Sequence, residues 1–166
     1  MSEFKRIAKF EIVSKEQFFN SLDYENKEEI YSSLKLPKRA TKGSAGYDFY
    51  MPFDLTLEPG KTAKIPTGIR VWMEPNYVLK LYPRSGLGFK YCLQLNNTVG
   101  IIDSDYYYSD NEGHIFAKIT NDSNEGKTVT LKKGEGFMQG IFVEYGITLD
   151  DDVEEIRNGG FGSTTK

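Results

Sequence analysis

Cysteine and histidine are nearly absent from this sequence, which has one residue of each type, Cys92 and His114. A lone cysteine cannot form an internal disulfide, which favours a reducing, cytoplasmic compartment. One histidine cannot build a histidine-based metal site, and the sequence has no cysteine–histidine cluster of the zinc type. Both residues stand in strand-like patterns, so we expect Cys92 to be a core thiol and His114 to have no catalytic role.

Long apolar runs and a basic excess are missing as well. The first residues, MSEFKRIAKFEIV, carry a charge every two or three positions, so they predict neither a signal peptide nor a membrane helix. The net charge of −3 argues against direct nucleic-acid binding but allows a nucleotide substrate, which needs only a few local cations. The sequence contains neither a Walker loop nor a dinucleotide-binding glycine motif.

Short alternating runs make up most of the chain. RIAKFEIV near the N terminus alternates apolar and polar residues, and similar runs separated by turn residues continue from Pro37 to Tyr145. The last long alternation is formed by Phe137, Gln139, Ile141, Val143 and Tyr145. Because no crossover helices separate these runs, we predict an all-β, antiparallel sandwich or barrel in one domain over residues 1–150.

Two segments depart from this pattern. Ser14 with Gln17 and Asn26 with Glu29 have the spacing of capping boxes, which predicts a short helical insertion over residues 15–34. Residues 151–166 begin with an acidic run and end in glycines, which predicts a mobile C-terminal tail.

Several polar residues allow both a chemical and a structural interpretation. Arg84 and Ser85 precede two glycines in YPRSGLGFK, a pattern that suits either anion binding or an ordinary turn. Asp103 follows an apolar pair, so it is either a general base at a strand end or an Asx turn, and Asp48 has the same ambiguity. Phe161 in GGFGST either stacks on a nucleotide base or belongs to a disordered terminus.

Taken in order, five segments resemble the five motifs of the trimeric dUTP diphosphatases. They are GSAGYDFY, PRSGL, NTVGIIDSDY, KKGEGFMQGIF and GGFGST. The resemblance implies a jelly-roll-like β-barrel subunit of a homotrimer with shared active sites. It also implies hydrolysis of dUTP to dUMP and pyrophosphate with Mg2+, which supplies dUMP and limits uracil incorporation into DNA.

The resemblance also assigns roles to the nucleotide-binding residues. Asp103 matches the acid that activates water for attack on the α-phosphorus. Asn97 matches the position that reads the uracil edge, and Gly100 belongs to the same substrate-binding segment. Tyr106 matches the ring under the deoxyribose, which leaves Tyr107 and Tyr108 as packing or rim residues.

Further roles follow for the phosphates and the metal. Asp48 matches a carboxylate near the water shell of the metal. Gln139 matches a phosphate contact, and Arg157 corresponds to the arginine of the tail, although it stands one residue closer to the phenylalanine than is usual. A neighbouring subunit would supply the phosphate loop, which matches Arg84, Ser85 and Gly86. A third subunit would supply the closing tail, which matches Phe161, Gly162, Ser163 and Thr164.

Two features and two rival functions stay open at this point. The loop 107–113 is longer than the usual Tyr-x-Gly step, and the insertion 15–34 is a possible site for a protein partner. A related dCTP deaminase would need a glutamate in the next strand, where the chain has IFAKIT. A non-catalytic nucleotide sensor or regulatory protein would not need Asp103 or GGFGST.

Overall fold

The computed structural model describes residues 3–159. The expected tail residues Phe161, Gly162, Ser163 and Thr164 lie outside this range. Within it, the elements follow the chain in this order: β1 Ala8–Ile12, α1 Lys15–Asn20, α2 Lys27–Ser32, β2 Lys38–Arg39, β3 Tyr47–Tyr50, β4 Leu55–Leu57, β5 Thr62–Pro66, β6 Ile69–Met73, β7 Tyr77–Pro83, α3 Ser85–Tyr91, β8 Leu93–Leu95, β9 Gly100–Ile102, a 3-10 helix Ser104–Tyr108, β10 Phe116–Asn121, β11 Val129–Leu131 and β12 Gly136–Glu144.

Antiparallel pairing organises these strands into a jelly-roll-like β fold, as predicted. The largest sheet has the order β2-β3-β12-β7-β9, and a three-stranded sheet has the order β5-β10-β8. Two further pairs, β1-β6 and β11-β4, complete the described part of the fold. One apolar core contains residues of all four groups, including Phe49, Val71, Ile119 and Val129. None of the helices within residues 3–159 is long and apolar enough to span a membrane.

Strand β12 departs from the strict alternation predicted for it. The register with β3 shifts between Gly136 and Met138, which is a β-bulge. As a result the consecutive residues Phe137 and Met138 are both fully buried, whereas Val143 is 37% exposed. The core face continues through Gly140, where a Cβ would lie 2.8 Å from Leu79 Cδ1. The predicted alternation was wrong after Phe137, because a one-residue bulge exchanges the two faces of a strand.

The helical insertion forms as two short helices, and its buried side belongs to the domain core. The Ser14 hydroxyl accepts a hydrogen bond from Gln17 N at 3.2 Å and caps α1, as predicted. Phe18 and Ile30 are 0% and 2% exposed within the common core. The second predicted cap is wrong, because the Asn26 side chain makes no capping bond in the described structure. Burial of one apolar face therefore stabilises these six-residue helices, which would be marginal in isolation.

Helix α3 was not predicted, and it changes the position of Cys92. Ser85–Tyr91 is helical where the sequence indicated a turn between strands. Cys92 ends the helix in the left-handed conformation, with φ 51°, and donates its backbone N–H to Gly88 O. Its side chain is exposed, so the predicted core thiol is wrong. Likewise, His114 precedes β10 rather than lying within a strand.

Candidate active site

A cavity of about 430 Å³ opens where β9 runs into the 3-10 helix. Five residues predicted to bind or act on the nucleotide line it: Asn97, Gly100, Asp103, Tyr106 and Arg157. The remaining wall is apolar and comes from β7, β8, β9, β10, β12 and the turn before β9; it comprises Leu81, Leu95, Val99, Ile101, Ile102, Phe116, Ala117 and Met138. A mostly apolar cavity with a few converging polar groups is the usual form of a small-molecule site.

Asp103 stands at the C-terminal end of β9, with its carboxylate at the cavity. It occupies the N-cap position of the 3-10 helix, but its side chain makes no capping bond in the described range. The carboxylate instead accepts a hydrogen bond from Arg157 Nη2 at 2.6 Å. Arg157 Nε donates to Asp105 Oδ1 at 2.8 Å, so one guanidinium bridges two carboxylates of the same turn. The Asp103 carboxylate is therefore positioned by an ion pair with Arg157 and forms no Asx turn within residues 3–159.

Gly100 allows β9 to pack directly on β7. It pairs with Leu81, and a Cβ at this position would lie 2.9 Å from Leu81 Cβ. Any side chain here would push the strand away and shift Asp103, three residues on. Gly100 thus acts through close packing of its backbone.

Tyr106 is 4% exposed, and its ring forms part of the cavity wall. Its hydroxyl donates to His114 O at 2.6 Å and accepts from Asn111 Nδ2 at 2.8 Å. Burial raises the pKa of Tyr106, so the hydroxyl remains protonated and able to donate. The ring is therefore fixed at its far end by two hydrogen bonds.

The next two tyrosines make their contacts elsewhere. Arg70 lies over the Tyr107 ring at 3.7 Å from the centroid, and the Tyr107 hydroxyl donates to Glu11 Oε2 at 2.7 Å. That bond lowers the pKa of Glu11 and raises the pKa of Tyr107. The Tyr108 side chain is 70% exposed. Neither ring is among the described residues that line the cavity.

A second group of predicted residues surrounds the start of α3. Arg84, Ser85 and Gly86 line a separate open cavity of about 570 Å³. Arg84 Nε lies 3.4 Å from Asp48 Oδ1, and Gln139 faces Asp48 across the β3–β12 ladder. The structure thus brings these five residues to one region.

The two groups line different cavities within one chain. Among residues 3–159, the cavity with Asp103 and the cavity with Arg84 share no lining residue. The residues predicted to contact the nucleotide and the residues predicted to bind anions therefore lie in two separate groups, which we call the two half sites.

Comparison with known proteins gives the family of this chain. A family model described as dUTPase matches residues 32–165. The chain belongs to the dUTPase family. It is 39% identical over 162 residues to a deoxyuridine 5'-triphosphate nucleotidohydrolase of Lactococcus lactis, covering 96% of this chain and 98% of the relative.

Solved dUTPase structures have the same fold. The dUTPase of Streptococcus mutans superposes with a TM-score of 0.65 at 36% identity, covering 84% of this chain and 97% of that one. A point variant of the dUTPase from phage phi11 of S. aureus, with a structural Mg(II) ion, gives the same TM-score at 22% identity. It covers 90% of this chain and 98% of that chain, and this second likeness bears on the fold alone.

Some residues around the two half sites of this dUTPase were missed. Lys90 and Tyr91 line the Arg84 cavity from α3. The spacing of Leu87 and Tyr91, four residues apart, was an available helical signal, but two glycines in SGLGFKY obscured it. Asn111 and Glu112 were not singled out either. The Asn111 side chain contacts Tyr106 and Gly113 nearby in sequence but belongs to no recognisable motif, and the Ser14 partner of Glu112 is 98 residues away.

His114 is the buried polar centre beside the Tyr106 loop of this dUTPase. Its side chain is 0% exposed, and Nε2 accepts a hydrogen bond from Gly68 N at 2.9 Å. Nδ1 therefore carries the proton. The Gln17 side-chain amide lies 3.2 Å from Nδ1, and it accepts this proton through its oxygen when the amide is turned so that Oε1 faces the ring. Burial lowers the pKa of His114 from 6.5 to about 4, with the positive charge of Lys64 contributing in the same direction.

Acid should destabilise the fold through His114. Between pH 6.5 and pH 4 the unfolded chain binds a proton that the folded chain does not, so stability is lost as the pH falls through this window. The loss attributable to His114 is about 3 kcal/mol. Urea unfolding of the wild type and of His114→Gln, each at pH 7 and pH 4, measures the free energy of unfolding. This free energy should fall more between the two pH values in the wild type than in His114→Gln, and an equal fall in both proteins would contradict the prediction.

Proposed function

We propose that this dUTPase hydrolyses dUTP to dUMP and pyrophosphate with Asp103 as the general base. The presence of Asn97, Asp103 and Tyr106 in one cavity carries the proposal. Asp103 takes a proton from water as the water oxygen attacks the α-phosphorus. The bond from the α-phosphorus to the oxygen bridging the β-phosphorus breaks, and pyrophosphate leaves with that oxygen.

Asn97 and Tyr106 then select the nucleoside. The Asn97 amide can donate to and accept from a uracil edge, because one side chain holds both kinds of group. The Tyr106 ring lies under the deoxyribose and leaves no room for a ribose 2′-hydroxyl. Its burial and its two hydrogen bonds support this role, because a ring held in place resists displacement by the larger sugar.

Replacement of Tyr106 by alanine should narrow the preference for dUTP over UTP. The ratio of the two kcat/KM values should fall by an amount equivalent to roughly 1–3 kcal/mol, because one shape contact is lost. Because both kcat/KM values are measured on the same preparation of a variant, a smaller fraction of folded protein lowers both equally and leaves their ratio unchanged. Tyr108→Ala is the matched control, since the Tyr108 side chain is 70% exposed and is not among the described residues that line the cavity. If Tyr108→Ala rather than Tyr106→Ala lowers the dUTP/UTP ratio, the sugar is contacted by Tyr108 in the lengthened loop, and the role proposed for Tyr106 is wrong.

The active sites are shared between the subunits of a homotrimer. The separate Arg84 cavity supports this arrangement, because one chain offers the nucleotide residues and the phosphate loop on different surfaces. Phe89 on α3 is 93% exposed and Ile101 on β9 is 51% exposed, which supplies apolar surface for a neighbouring chain. Arg84, Ser85, Gly86 and Gln139 would bind the phosphates of a nucleotide held by that neighbour.

Mg2+ is the proposed cofactor, bound mainly through phosphate oxygens and water. Among residues 3–159 there is no group of three or more acidic, histidine or cysteine side chains that could hold a metal. Asp48 fits the smaller role of accepting hydrogen bonds from metal-bound water, since its carboxylate is 18% exposed beside Arg84. The ion would neutralise phosphate charge.

The tail is proposed to close over the phosphates after substrate binds. Phe161, Gly162, Ser163 and Thr164 would supply a stacking ring and hydrogen-bond donors, as in the family motif. Arg157 supports tail closure, because it already contacts Asp103 at the cavity. It would give its charge to a phosphate when the substrate enters. The single free cysteine and the nucleotide substrate support a cytoplasmic location.

The test is an assay of each deoxynucleotide and of UTP, with Mg2+ or with a chelator, that follows pyrophosphate and base deamination separately. We expect Mg2+-dependent pyrophosphate release from dUTP alone. Deamination of dCTP would favour the deaminase, although the β10 side of the cavity presents Phe116 and Ala117. Binding without turnover would favour a sensor, and the insertion would then be the first place to look for a protein partner.

A further inference from the structure

The loop that holds the Tyr106 ring has an unusual backbone. Glu112 and Gly113 both adopt left-handed conformations, with φ 61° and φ 70°. Gly113 approaches the ring's own backbone so closely that a Cβ would lie 2.7 Å from Tyr106 O. Glutamate is strained in this region, where glycine is not, so Glu112 must be retained there by other contacts.

The first turn of α1 provides those contacts. The Glu112 carboxylate accepts hydrogen bonds from Ser14 N at 2.9 Å and from the Ser14 hydroxyl at 2.5 Å. One turn along, the Gln17 amide meets His114 Nδ1 at 3.2 Å. The insertion therefore grips the loop on both sides of Gly113, across 98 and 97 residues of sequence.

The grip continues directly to the tyrosine hydroxyl. The Tyr106 hydroxyl donates a hydrogen bond to His114 O, and it accepts a hydrogen bond from Asn111 Nδ2. His114 is itself fixed by Gly68 N and by ring contacts with Phe18 of α1, at 6.2 Å between centroids. A displacement of α1 would consequently move the groups that hold the ring.

We propose that α1 of the insertion positions the Tyr106 ring for the nucleotide, acting through Glu112 and His114. The inference rests on the proposed dUTP site and adds to it a determinant of sugar specificity. Ser14, Gln17, Glu112 and His114 are positioning residues, since none of them is among the described residues that line the cavity. Their effect is on where the ring lies, and hence on whether a 2′-hydroxyl is excluded.

Ser14→Ala and Ser21→Ala form a matched pair that separates positioning from general stabilisation. Both remove a serine hydroxyl bonded at one end of α1. Within residues 3–159, however, the Ser21 hydroxyl donates to Phe18 O and makes no hydrogen bond to the loop. Ser14→Ala should raise KM for dUTP about five- to tenfold with kcat nearly unchanged, because ring placement affects binding. It should also lower the dUTP/UTP ratio of kcat/KM. Ser21→Ala should change neither, and Ser14→Thr should restore both because threonine keeps the hydroxyl.

The variant Glu112→Gly tests the proposal independently of Ser14. Glycine relieves the left-handed strain but removes the carboxylate that reaches Ser14. If the carboxylate only stabilised the strained backbone, the glycine variant would keep wild-type specificity. If it positions the ring, the variant stays folded and loses dUTP/UTP discrimination to about the same extent as Ser14→Ala.

Hydrogen exchange of residues 104–114 tests, independently of enzyme activity, whether the contacts from α1 stabilise this loop. Faster exchange is expected in Ser14→Ala and Glu112→Gly but not in Ser21→Ala. Equal exchange in all variants would overturn the grip. A looser loop with unchanged KM and unchanged dUTP/UTP ratio would overturn the positioning role. Failure of the wild type to hydrolyse dUTP would instead remove the proposed function, and the specificity role with it.

Discussion

Asp103→Asn should lower dUTP turnover by about 10²–10⁴-fold while dUTP binding survives. The amide keeps the size of the carboxylate but cannot accept the proton of the attacking water. Binding should persist because Asn97 and the Tyr106 ring, which contact the nucleoside in the proposed site, remain in the same cavity. Pyrophosphate release gives kcat, and calorimetry with dUTP on the variant gives its affinity.

Asp105→Asn is the control for this experiment. Asp103 and Asp105 each accept one hydrogen bond from Arg157, so either change removes one ion pair. Asp105 is not among the described residues lining the cavity, however. A large loss confined to Asp103→Asn identifies the base. Equal losses in both variants would show that the Arg157 bridge, rather than proton transfer, limits turnover.

Arg84→Ala should lower turnover by about 10²–10³-fold, because a charged donor aimed at the phosphates is lost. The side chain is 45% exposed and its described contacts are with Asp48 and Gly136 O, so its removal should leave the fold intact. A fall in activity with an unchanged melting temperature would assign Arg84 to the site. Turnover equal to the wild type would leave α3 as an ordinary turn-and-helix connection.

Mixing the two inactive variants tests the shared site. If Asp103 and Arg84 of one site come from different chains, random trimers of Asp103→Asn and Arg84→Ala regain about a quarter of the wild-type sites. If both residues of a site came from one chain, every site would retain a defect and the mixture would stay inactive. Light scattering should give three times the 18.9 kDa chain mass. An active monomer would contradict the arrangement.

Features that depend on neighbouring residues could be predicted from the sequence. The alternation of Ile69, Val71 and Met73 is buried on one face of β6. The Ser14 cap begins α1 at the expected position. Asp103 stands at the end of a strand, as its place after an apolar pair indicated. Periodicity and capping are local, so the chain carries these signals within a few residues.

What the sequence could not provide depends on groups far apart along the chain. The bulge at Gly136 follows from pairing with β3, and the exposure of Cys92 follows from a helix that two glycines concealed. The contact of Glu112 with Ser14 spans 98 residues. No local pattern encodes such a contact, because it exists only once the packed core has brought α1 and the tyrosine loop together. The sequence alone thus determined the fold class and the family and predicted the half-site residues, whereas the folded core decided how Tyr106 is held and which residues share a cavity.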